Sequence, residues 1–228
     1  MSLSIKSRIY LSFFFLVFLF VVNGFITIST INYSKGLSEH ISEVLDPSLQ
    51  TLEEVSDMVV HSKMYTTNWV FLRSNQGDKN ELIKLHATVF PALKLQMEEY
   101  STHWKNKNWV DSLNKIFTGF EQLVFVEKNI IAALSNFEDY DNPVNKLGAE
   151  AALEDKVLPK TTELMGRLDA VIRFGKNIKL KENIDLERAS MRLRFQIIFL
   201  IITIIAIGIF LSLYMAGRII TPVNKIRL

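Results

Sequence analysis

The sequence predicts an all-α protein: an antiparallel up-down four-helix bundle whose first and last helices are continuous with two transmembrane helices. Three observations lead there. Two long stretches of the 228 residues carry no charge, Ile9–Ser34 and Phe195–Gly217. The segment between them holds few Gly and Pro residues and repeats its apolar positions at steps of three and four. Its β-branched residues do not alternate with polar ones, as a half-buried strand would require.

Residues 1–8 form a short basic end, and 9–34 form the first membrane helix. Each uncharged stretch exceeds the roughly 20 apolar residues that cross a ~30 Å hydrocarbon core. Backbone groups in lipid must pair within their own segment, so both stretches read as helices. A cleaved signal peptide is the competing reading of the first stretch. Its apolar core is long for that, and no A-x-A-like site follows it.

Charge layout sets the topology. The ends hold Lys6, Arg8, Arg218, Lys225 and Arg227 and no acid, while residues 32–194 hold the other 21 basic residues and all 24 acids. Cytoplasmic flanks favour Lys and Arg, so both ends are assigned to the cytoplasmic side of a membrane and residues 35–194 to the other side. Arg188, Arg192 and Arg194 run against this pattern. A long loop translocates largely regardless of its charge, and such arginines can reach lipid phosphates along their apolar stems. The chain has no cysteine, which excludes disulfides and thiolate metal sites.

Residues 35–194 divide into four helices, about 35–73, 80–104, 108–137 and 143–194. The clearest apolar seam is Trp109, Leu113, Ile116, Phe120, Leu123, Glu127, Ile130, Leu134 and Phe137, with alternating steps of four and three. A second runs through Leu45, Leu49, Leu52, Val55, Val59, Tyr65, Trp69 and Leu72. A third takes Leu82, Leu85, Val89, Leu93, Met97 and Trp104, and a fourth Leu147, Ala151, Leu158, Met165, Leu168 and Ile172. "SNQGDKN" (74–80), "KNKN" (105–108) and "NFEDYDNP" (136–143) separate them, and Pro143 suits a helix start. Short loops favour antiparallel neighbours. Pro47, Pro91 and Pro159 fall inside the helices, where each removes a hydrogen bond and is expected to kink or break its helix.

Catalysis finds no foothold, and no cofactor is expected. His40, His61, His86 and His103 lack metal-ligand spacing, and no HExxH, GxSxG or P-loop pattern occurs. "EDYDN" lacks the glycine and distal Glu of a calcium loop. An acidic domain outside the cell membrane does not fit nucleic-acid binding.

Three places are candidate ligand sites. Asn68, Trp69 and Arg73 share a helical face in "TTNWVFLRSN", where Arg could grip a carboxylate or phosphate beside an apolar Trp wall. A core Trp with a solvated Arg is the competing reading. Glu127 sits in the best apolar seam, where a buried, unpaired carboxylate would cost several kcal/mol. It needs a partner, for which Arg167, Arg173 or a ligand amine are the candidates. Arg167 and Arg173 could instead meet the first helix of a second subunit, or lie on a solvated face.

The stub 218–228 is more specific. Thr221 can cap a helix whose first turn holds Pro222, and Ile219, Val223 and Ile226 begin a new apolar seam after the anchor Arg218. So short a helix cannot bury that seam alone. "RIITPVNKI" resembles the opening of a HAMP linker, with Ile219, Pro222, Val223 and Ile226 in the matching places. Residues 35–194 resemble the four-helix-bundle sensor domain of methyl-accepting chemotaxis receptors and sensor histidine kinases. That likeness rests on architecture, on a Pro near Leu45 and on "VLPKTTELMGRL" in the fourth helix.

The resemblance implies a homodimer embedded in membrane lipid. Small ligands or extracytoplasmic partner proteins would bind near the distal helices, and a small shift of the last helix would carry the signal inward to an output domain. Nothing clearly matches the arginine-and-threonine amino-acid site of aspartate receptors, so the ligand class stays open. Only the start of the linker is present in this sequence, with no kinase, methylation or cyclase segment after it. A stand-alone membrane scaffold, or a decoy partner of a full-length receptor, is the alternative reading.

Overall fold

A computed structural model describes residues 5–215, and among them every regular element is helical. The helices are α1 (Ile5–Glu39), α2 (Asp46–Phe71), α3 (Gln76–Lys84), α4 (Phe90–Ser101), α5 (Lys107–Ala133), α6 (Pro143–Ala152) and α7 (Leu158–Met215). Three π turns lie among them: π1 (His40–Leu45), π2 (Leu85–Val89) and π3 (Leu153–Val157). A 3-10 turn covers Glu138–Asp141. The expected HAMP residues Arg218, Ile219, Pro222, Val223 and Ile226 lie outside the described residues.

The chain forms two compact units, one from residues 1–38 and 182–228 and one from Glu39–Lys181. In the first, large apolar side chains such as Phe14, Phe25, Phe199 and Phe210 are exposed around the helices. Two helices are long and apolar enough to cross a membrane. A helix apolar on its outward side needs an apolar solvent. Two of its hydroxyls are settled within their own helix: Thr30 Oγ1 donates to Ile26 O at 2.9 Å and Thr203 Oγ1 to Phe199 O at 2.8 Å.

The second unit encloses one apolar core, with Leu52, Val59, Leu82, Met97, Ile116, Leu134, Val157 and Leu164 at no exposure. Contacts fix the helix directions pairwise. α2 and α5 run the same way, since Ser62 and Thr66 meet Glu127 and, further along both, Trp69 Nε1 donates to Leu134 O. α3–π2–α4 runs against α2: Lys79 lies over the Trp69 ring at one end, and Trp104 Nε1 donates to Ser48 Oγ at the other. α7 runs against α5, with Val171 O accepting from Trp109 Nε1 and Leu164 opposite Gly119.

Asparagine starts three helices. Asn75 Oδ1 accepts from Asp78 N, Asn106 Oδ1 from Asn108 N and Trp109 N, and Asn142 Oδ1 from Val144 N ahead of Pro143. Each satisfies amides that have no partner within the helix. The second helix therefore begins at Gln76 rather than near 80, and the third ends at Ala133 rather than 137. Phe137 is consequently exposed, against the expectation from its seam.

The internal prolines do not break their helices; each follows a π turn. Pro47, Pro91 and Pro159 stand two residues after π1, π2 and π3 end. In each case the residue before the proline donates five residues back: Asp46 N to Ile41 O, Phe90 N to Leu85 O, and Leu158 N to Leu153 O. The pyrrolidine ring clashes with the carbonyl four residues earlier, and a widened turn makes room for it.

The buried face of the fourth helix differs from the expected seam. Ala149, Leu153, Val157, Thr161, Leu164, Leu168 and Val171 are buried, while Leu147, Ala151 and Leu158 are exposed. Counted backwards from Leu168, the expected seam has left the buried face by half-buried Met165 and exposed Leu158, before π3 is reached.

Candidate functional site

The α5 seam carries Glu127 into the core, where its side chain has no exposure. On α2 the sequence Val59, Ser62, Thr66, Trp69 continues an inward seam, so two hydroxyls one turn apart face that carboxylate. Ser62 Oγ lies 2.8 Å from Oε1 and 2.7 Å from Oε2, and Thr66 Oγ1 donates to Oε1 at 2.9 Å. From π2, His86 Nε2 lies 2.7 Å from Oε2, and its side chain is 5% exposed. A carboxylate accepts only, so the imidazole donates. Three donors on two other helical stretches thus surround one buried acid, as a buried ionised group requires.

Glu127 therefore finds its partners in Ser62, Thr66 and His86, and neither Arg167 nor Arg173 is among them. None of these three was singled out as a site residue from the sequence. The available signal was the α2 seam: steps of three and four from Val59 lead to Ser62, Thr66 and Trp69, whereas the expected seam passed through half-buried Tyr65.

The distal end brings Asn68, Trp69 and Arg73 together, each engaged with the protein itself. Asn68 Nδ2 donates to Asp78 Oδ2 at 2.6 Å. Trp69 is buried, and its indole N–H is held by Leu134 O. Arg73 forms a two-pronged pair with Asp141 at 2.8 and 3.1 Å and lies over the Phe137 ring at 4.6 Å. Carbonyls in the last turn of α2 and just beyond it are capped in turn. Tyr140 Oη donates to Trp69 O at 2.6 Å, Lys146 Nζ to Val70 O, and Lys79 Nζ to Arg73 O at 3.0 Å. Cations at a helix C-terminus suit its dipole.

Lys79 is 7% exposed and faces the rings of Trp69 and Tyr140. Burial, and then the neighbouring Arg73 charge, lower its pKa below the usual lysine value. Burial raises that of Tyr140. In the loop below, hydrogen bonds from the Asn136 amide and from Ser135 hold Asp139 below the ordinary carboxylate range.

Arg167 lies on the opposite flank, in a groove of about 460 Å³ between α5 and α7 with Lys115, Thr118, Lys160 and Glu163. Glu163 occupies it, at 2.9 Å from Arg167 and 3.2 Å from Lys160. The Lys160 hydrogen bond, more than the Arg167 charge, keeps the Glu163 carboxyl in its ionised form to lower pH. Arg173 is exposed on α7. The candidate residues thus fall at three separate places: core, distal end and α5–α7 flank.

Among the described residues no group of three His, Asp or Glu side chains could hold a metal ion. No protein family, curated protein or solved structure matches the chain.

Proposed function

We propose that the chain is the sensing part of a bacterial inner-membrane receptor. Its two apolar helices cross the membrane in opposite directions, and Glu39–Lys181 stands outside as an antiparallel four-helix bundle. The observation that carries this reading is the charge layout: two uncharged stretches, basic and acid-free at their outer ends, bracket a folded helical unit. Ligand or partner contact at the distal helices shifts α7 by about 1–2 Å, as interface helices commonly move. The second span carries that shift to the HAMP start at Arg218–Ile226.

The receptor works as a homodimer. Val60, Met64 and Phe71 repeat at helical spacing on α2 and are exposed, as are Leu147, Ala151 and Leu158 on α6 and α7. These helices are neighbours, since Lys146 Nζ lies over Phe71 and Ser56 Oγ contacts Met165 Sδ. An apolar face of this kind suits a second copy of the chain.

The natural chain has no cysteine, so single cysteines report cleanly. Gln76→Cys and Glu138→Cys are expected to react with a membrane-impermeant maleimide on intact cells, and Ser4→Cys and Asn224→Cys only after lysis. Labelling of all four on one side removes the receptor reading. Met64→Cys is expected to crosslink two copies in the membrane under mild oxidation.

A further inference from the structure

The buried acid and the π turn meet at one residue. His86 is the second residue of π2, the turn that Pro91 imposes, and its imidazole donates to Glu127. The same carboxylate takes Ser62 and Thr66 from α2. π2 is thus held by Leu85 in the apolar core and by one ionisable pair whose side chains are 5% and 0% exposed.

We propose that His86 and Glu127 form a proton-binding site, and that holding one shared proton keeps π2 closed. The reason is charge. A carboxylate and an imidazolium sum to zero in a space with little exposure to solvent. Removing the proton leaves a buried net negative charge, although the three donors remain. Adding a second leaves a buried imidazolium facing a neutral acid, whose O–H must turn towards a hydroxyl oxygen of Ser62 or Thr66. An uncompensated charge of either sign is costly in a low-permittivity interior. The lock therefore holds over a bounded pH range and loosens on both sides of it.

Among the described residues, no other charged or titratable side chain is bonded to the pair. On α2, His61 and Tyr65 stack on each other with ring centroids 5.8 Å apart, and Lys63 is exposed. On α3, Glu81 pairs with Lys84 at 3.4 Å. Lys128 on α5 is exposed, as are Glu154, Asp155 and Lys156 on π3. Lys146 pairs with Glu150 on α6 at 3.3 Å. The inference rests on core geometry alone, so it can stand where the receptor reading fails, and the reverse.

The test uses the full chain in detergent micelles. Amide hydrogen exchange at 85–90, corrected for its intrinsic pH dependence, is followed from about pH 4 to about pH 10, spanning the ordinary ranges of Glu and His. Local opening is expected to be least in mid-range and to rise about tenfold or more at each end, where a buried charge has lost its counter-charge. In Glu127→Gln/His86→Gln the profile is expected to be flat. A flat wild-type profile, or a two-sided profile that survives in the double variant, overturns the proposal. Should the double variant not fold, nitrogen-15 histidine spectra of the wild type decide. His86 is expected to carry protons on both ring nitrogens in mid-range, and a neutral ring there overturns the proposal.

Discussion

Gly175 faces the indole of Trp109 so closely that a Cβ on it would stand 2.7 Å from Cζ2. The indole cannot give way easily. Its N–H is held by Val171 O at 3.1 Å, and its face stacks on Trp104 with centroids 3.6 Å apart. Gly175→Ala is therefore expected to lower stability by about 1–3 kcal/mol, the usual cost of overpacking a core. Gly166, on the same helix, meets nothing within 4 Å. There Ala is expected to raise stability by up to about 1 kcal/mol through helix propensity alone. Thermal unfolding of both variants in detergent compares the signs directly.

Ser62 and Thr66 donate to a buried carboxylate, so removing either hydroxyl should be felt. Ser62→Ala and Thr66→Val are each expected to cost about 1.5–3 kcal/mol, the range for hydrogen bonds to a charged group. The double variant should cost less than the sum of the singles, because both hydroxyls serve one acid. Urea titration of the four proteins forms the cycle.

The distal ion pair makes the opposite case. Arg73 and Asp141 meet with good geometry, but their side chains are 36% and 71% exposed. Asp141→Asn is expected to change stability by less than about 1 kcal/mol. Raised salt should erase what difference there is.

Lys79 and Lys94 should show opposite alkaline behaviour. Lys79 has a lowered folded value, so the unfolded chain binds its proton more tightly. Its charge weighs against folding below that lowered value, and stability recovers as pH rises from there to the ordinary 10.5. Lys94 is raised, chiefly by its hydrogen bond to Glu121 at 2.7 Å. Its contribution is present below 10.5 and is lost as pH climbs through the raised folded value. Urea midpoints at stepped alkaline pH are expected to gain on wild type with pH for Lys94→Met and to fall behind for Lys79→Met.

Much of the helical pattern was legible because it is local. The α5 seam was readable from Trp109 to Leu134, since nothing within that helix disturbs a regular step. The uncharged stretches were legible for the same reason. The fourth seam was not, because its inward face carries polar Thr161 between Val157 and Leu164, and a count through apolar residues alone selects Leu158 and Met165 instead. Glu127's need for partners followed from its position in an apolar seam. Their identity did not, because Ser62, Thr66 and His86 lie 65, 61 and 41 positions away and meet the acid only through packing. The distal end misled for a different reason. Asn68, Trp69 and Arg73 resemble a ligand-gripping set in sequence, yet backbone carbonyls and nearby acids already engage them.

The widened turns have one further consequence, for insertions and deletions. Each holds a surplus residue at a spot where the backbone already departs from ordinary helix. Loss of one residue there, for example exposed Ala87 together with Pro91→Ala, would let the turn tighten while the downstream apolar side chains keep their azimuth. The same loss midway along α5 would swing everything after it by about 100° and present polar side chains to the interior. Length variation among relatives of this chain should therefore gather just upstream of prolines, within helices as well as in the loops between them.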